Sequence, residues 1–95
     1  MTDTLNPVAR LPERLTLHEA AATLQSLQSA VSGQAGPVVP VDASALRHFD
    51  SSAVAVLLEI GRDLQQEGKT LKVTGLPPRL RDLVALYGVE SLLPA

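Results

Sequence analysis

The chain reads as an α/β fold: a small mixed β-sheet with parallel neighbours, covered by helices. Three observations predict it. Segments dense in β-branched residues alternate with segments whose apolar residues recur every three to four positions, an order that calls for strands joined by helical crossovers. Hydrophobic residues make up 45% of the chain, yet Phe49 and Tyr87 are its only aromatics, so the core must be built from Leu, Val and Ala. At 95 residues the chain has the size of one domain, expected over residues 8–95 behind a polar, frayed start at 1–7.

Taken in order, Val8-Ala9-Arg10-Leu11 reads as a short edge strand ended by Pro12. Thr16-Leu17-His18-Glu19 matches a capping box, with Thr16 as N-cap and Glu19 three positions later. Leu17, Ala20, Ala21, Leu24, Leu27 and Val31 follow with the spacing of one helix face, and Gly33 and Gly36-Pro37 stop that helix. Val38-Val39-Pro40-Val41-Asp42-Ala43 is the next strand. Its Pro40 lacks a ladder donor, which predicts a sheet edge or a bulge there. Ala45-Leu46-Arg47-His48-Phe49 is expected to be a connection.

A second helix is predicted from Ser52 to Glu67, with Val54, Leu57, Leu58, Gly61 and Leu64 on one face and Val56 and Ile60 widening it. Gly68 is its natural stop. Thr70-Leu71-Lys72-Val73-Thr74 alternates polar and apolar, the mark of a half-buried strand. Pro77-Pro78 opens a third helix with Leu80, Leu83, Val84 and Tyr87 on its buried face. Gly88 ends it, and Leu92-Leu93 is expected to pack back as a tail.

Composition narrows the function classes. No cysteine is present, so there is no disulfide framework and no thiolate metal site, and two histidines, His18 and His48, are too few for a convincing metal cluster. No cofactor is expected. The net charge is −2, and the basic residues are scattered without interleaved aromatics, which argues against nucleic-acid binding. Neither a signal peptide nor a membrane-spanning run is visible, so a cytoplasmic protein with no direct membrane insertion is expected.

The chemistry concentrates at Asp50-Ser51-Ser52, directly before the apolar run of the second helix. A helix N-terminus leaves backbone N–H groups unpaired and favours negative charge, so Asp and Ser there act as caps. An exposed hydroxyl at the same place would suit a docking partner or a phosphate. Hydrolysis would need Ser51 or Ser52 with His48 or His18 as base, but the Gly-x-Ser-x-Gly pattern is absent. Gly33-Gln34-Ala35-Gly36 lacks the lysine and hydroxyl residue of a P-loop. The motif is therefore read as an interaction site, and the chain as no enzyme.

Val41-Asp42-Ala43-Ser44-Ala45-Leu46, Phe49-Asp50-Ser51-Ser52-Ala53 and Val56-Leu57-Leu58 together resemble the signature of STAS domains, the fold of anti-sigma factor antagonists. Leu76-Pro77-Pro78-Arg79-Leu80 and Leu83-Val84-Ala85-Leu86-Tyr87-Gly88 extend the resemblance over roughly residues 8–94. It implies a STAS-like (SpoIIAA-like) fold. Two branches follow from it. In the antagonist branch the first Ser after Asp is phosphorylated by an anti-sigma factor kinase, which maps to Ser51. This chain departs from that branch in having Ala53 and Ala55 where glycines are usual, and Pro12-Glu13-Arg14-Leu15-Thr16 in place of a two-strand opening. The other branch is similar to MlaB-type subunits of the Mla phospholipid ABC transporter, matching the short N-terminus and Leu86-Tyr87-Gly88-Val89. That branch implies a non-enzymatic accessory subunit bound to the transporter's ATPase subunit (MlaF-like), and through it to the membrane permease. The partner-binding residues expected are Thr16, His48, Asp50, Ser51 and Ser52, with Ser51 the candidate phosphorylation site.

Overall fold

A computed structural model describes residues 9–32, 34 and 36–87. The order is β1 (Ala9–Arg10), β2 (Arg14–Leu15), α1 (Leu17–Ser32), β3 (Val38–Asp42), β4 (His48–Phe49), α2 (Ser51–Gln66), β5 (Thr70–Thr74) and α3 (Pro78–Leu86). The frayed start, Val8, the Gly33 and Gly88 stops and the Leu92-Leu93 tail lie outside the described residues. The predicted strands and all three helices are present. Two further short strands are present: β4 lies in the segment expected to be a connection, and β2 falls between the expected edge strand and the Thr16 cap.

All strand pairings among the described residues are parallel. One sheet has the order β1-β3-β5, and β2 pairs with β4 in a second. Ala9 lies opposite Val41, and Val38 opposite Thr70, each pair 32 residues apart. Arg14 lies opposite His48, 34 residues apart. Three residues connect β1 to β2 and five connect β3 to β4, and the surplus is absorbed where the Arg47 and His48 amides both donate to the Glu13 carbonyl.

Pro40 sits in β3, the central strand, and not at an edge. The ladder explains why this is tolerated. The Ala43 amide donates to Thr74 on the β5 side, while the Asp42 carbonyl accepts from Leu11 on the β1 side. Alternate residues of a parallel strand bond to opposite neighbours, so the Pro40 nitrogen points toward β1. Among the described residues the β1–β3 register pairs Ala9 with Val41 and Arg10 with Asp42. The missing donor therefore removes no bond from the β3–β5 ladder.

Helices cover one face of the main sheet. Val39, Val41, Leu71 and Val73 point into the core, while Val38, Thr70, Lys72 and Thr74 are exposed on the other face. The core joins these residues to Leu11, Leu15, Leu27, Val31, Leu57, Ile60, Leu64, Leu80 and Val84. Burying each such side chain is worth about 1.5–3 kcal/mol. The apolar stripe of α2 falls on the core as predicted, and Ala53 joins it with no exposed surface. Both ends of the predicted stripes come out differently. Leu17, the first residue of α1, is 74% exposed, and Tyr87, the C-cap of α3, is 50% exposed. Ala21 is exposed as well, and the buried residue beside it on α1 is Thr23.

Candidate functional site

The β2–β4 pairing assembles the site. Leu15 faces Phe49 in register, so the next residues, Thr16 and Asp50, leave the ladder side by side. Each then enters a helix, α1 at Leu17 and α2 at Ser51. Two helix N-termini, each with unpaired amides and a positive end, are thereby brought together.

Asp50 is the N-cap of α2, in extended conformation, and one carboxylate oxygen, Oδ1, accepts the Ser52 N–H at 2.8 Å. The other oxygen, Oδ2, accepts the Leu17 N–H of α1 at 3.2 Å. One carboxylate thus satisfies an amide at the start of each helix. These bonds hold the Asp50 carboxyl below its ordinary pKa, the Ser52 amide contributing most, followed by the Ser52 hydroxyl and the Leu17 amide.

At the neighbouring helix start, the Thr16 amide donates to Glu19 Oε1 at 2.8 Å, the return half of the predicted capping box. The other half differs. The Thr16 hydroxyl donates to the same Glu19 oxygen at 2.6 Å instead of accepting from the helix. Arg14 approaches Glu19 Oε2 at 3.3 Å. The Glu19 carboxyl is held below its ordinary pKa, first by the Thr16 hydroxyl, then by the Thr16 amide, with Arg14 adding to them.

Because Asp50 caps α2, Ser51 is the first helical residue. It is exposed, and its hydroxyl forms no hydrogen bond among the described residues. The cap does not consume the hydroxyl. Ser52 is half-buried and turned to Asp50. His48 is exposed on β4 and is held through its backbone to Glu13. Thr16, His48, Asp50, Ser51 and Ser52 therefore gather at one end of the molecule. Ala53 does not contribute to this surface, since it is buried beneath α2, whereas Ala55 is exposed. Leu17 belongs to the site although its sequence spacing assigned it to the core. On the flank of the site the Arg79 guanidinium lies 5.9 Å from the centre of the Phe49 ring, tying the first turn of α3 to the residue preceding Asp50.

Among the described residues no group of three or more His, Asp or Glu side chains is placed to hold a metal ion. No helix there is long and apolar enough to cross a membrane. The decisive comparison is with family models: the MlaB-like STAS domain model matches residues 4–94. The chain belongs to the STAS-domain family. No curated protein matches it. STAS domains are generally non-enzymatic, in keeping with a site made of caps and one free hydroxyl. In this STAS domain the Asp-Ser-Ser motif stands at the β4–α2 junction, its first hydroxyl outermost.

Proposed function

We propose that this STAS domain is a non-enzymatic accessory subunit of a phospholipid ABC transporter of the Mla type. It binds the ATPase subunit in the cytoplasm, supports that subunit's assembly or activity, and is peripheral to the inner membrane through this partner. The observation that carries the reading is the MlaB-like family match over residues 4–94. The arrangement around Ser51 supports it. An exposed small hydroxyl between two capped helix starts offers a rigid, close-approach surface. Co-expression with the cognate ATPase and permease subunits should give a complex that survives purification. Ser51→Glu should weaken association with the ATPase by about tenfold or more, since an unpaired charge in an interface is costly to desolvate. Lys72→Glu, on the open face of the sheet, should leave association unchanged. Equal binding by the Ser51→Glu protein would remove Ser51 from the contact.

A second reading is an anti-sigma factor antagonist switched by phosphorylation at Ser51. It is favoured by the free Ser51 hydroxyl at an electropositive helix end. Incubation with an anti-sigma factor kinase and ATP should then add one phosphate by intact mass, lost in Ser51→Ala.

A further inference from the structure

We infer that Asp50 is a positioning residue that couples Ser51 to α1, so that negative charge placed on Ser51 loosens the first turn of α1 as well as altering α2. This deepens the docking reading and rests on it for its consequence at the partner, but not for its geometry. The argument begins with the two bonds of one carboxylate. The bond within the α2 cap, to Ser52, is 2.8 Å long and spans two residues. The bond to Leu17 is 3.2 Å long, spans 33 residues and is exposed. The longer bond is the weaker. The backbone start of α2 has a separate tie, the Ala53 amide to the Asp50 carbonyl at 3.0 Å, so α2 does not depend on the side chain alone.

The first turn of α1 has the matching backbone tie, the Glu19 amide to the Thr16 carbonyl at 3.0 Å. Its own box, Thr16 with Glu19, closes on itself and makes no connection to α2. Among the described side-chain hydrogen bonds, Leu17 to Asp50 is the one that joins the two helix starts. A second side-chain bond between these helices, Gln28 to Asp63, lies near their far ends. A phosphate on Ser51 brings about −1.5 to −2 charges next to the Asp50 carboxylate and three acceptor oxygens within reach of the same helix-start amides. Repulsion and competition both act on Asp50, and the Leu17 bond is the first to yield. Leu17, 74% exposed, is then no longer tied to the cap of α2. The modified surface differs from the unmodified one in shape on α1 as well as in charge on α2.

The test uses the isolated full chain, so it is independent of any partner. Amide hydrogen exchange and chemical shifts of Leu17 are compared in wild type, Ser51→Ala, Ser51→Gln and Ser51→Glu. The Leu17 amide should exchange about fivefold faster in Ser51→Glu, as expected for loss of one ordinary hydrogen bond, with Ser51→Ala and Ser51→Gln unchanged. Combining Ser51→Glu with Asp50→Asn should bring no further change at Leu17, because the carboxylate that transmits the charge is already gone. Unchanged Leu17 exchange in Ser51→Glu overturns the coupling, and so does an equal effect of Ser51→Gln, which would make the cause bulk and not charge. If the Asp50→Asn protein does not fold, the three exposed Ser51 variants decide alone. Failure of the docking reading shows separately, as ATPase binding indifferent to Ser51→Glu.

Discussion

Asp50 uses both carboxylate oxygens on backbone amides of two different helices, and it is one of three carboxylates among the described residues whose folded pKa is depressed. Glu19 is held down by Thr16 and Arg14, and Asp42 chiefly by the Ser44 amide, then by the Ser44 hydroxyl and Arg10. A carboxyl with a depressed folded pKa binds fewer protons folded than unfolded, so it stabilises the fold above its unfolded value near ~4. That contribution is lost as pH falls through the folded value. Urea-unfolding midpoints followed by circular dichroism should therefore fall as pH drops below about 4. The fall should be shallower in Asp50→Asn, and an unchanged slope would remove Asp50 from the acid response. Local spacing made part of this legible: Thr16 and Glu19 stand three apart, and Asp50 directly precedes a helix. The bond from Leu17 to Asp50 was not legible, since nothing near either residue encodes a contact 33 positions away.

Elements with many repeats of a pattern could be read, and those with two residues could not. The faces of α2 and β5 were visible because sixteen and five residues repeat one period. β2 and β4 have two residues each and exist through their mutual register, so neither was legible as a strand. The rule about missing donors points Pro40 to an edge or a bulge, whereas the outcome depends on which neighbour its nitrogen faces. A related constraint operates at Gly75, directly after β5. Its φ is +69°, and an added Cβ would lie 2.9 Å from the Ser44 Cβ and 3.0 Å from the Ser44 amide nitrogen. Gly68, at φ +76°, has open space around the same position. Gly68→Ala should cost about 1 kcal/mol, the penalty of left-handed backbone alone. Gly75→Ala should cost clearly more, about 2 kcal/mol or above, because the Ser44 backbone must also move. Chemical denaturation of both variants checks this, and equal losses would mean that the Ser44 contact relaxes freely.

Among the described residues a helical layer covers one face of the main sheet, and the proposed docking surface lies at the starts of α1 and α2. Stability and docking should therefore separate. Leu57 is fully buried, and Leu57→Ala should cost about 2–5 kcal/mol. Leu17→Ala, at an exposed site, should change stability by no more than about 0.5 kcal/mol. Denaturation curves for the two variants measure the contrast, and a large loss from Leu17→Ala would place that side chain in the core after all. The fold class was readable because alternation of periods is a property of the entire chain. The exposure of Leu17 and Tyr87 at the ends of their helices was not, since that depends on what tertiary packing covers each end. The all-parallel register also bears on how the chain folds. Every described strand pair joins residues 32 or 34 apart, so no hairpin is available to start the sheet. Helical turns close locally and quickly, while these pairings must wait for a whole crossover to be in place. The junction that carries Ser51 depends on the β2–β4 pairing, so it is completed only when distant parts of the chain have met. A ribosome-bound chain truncated before Phe49 holds Leu17 but not Asp50, the carboxylate its amide is to meet.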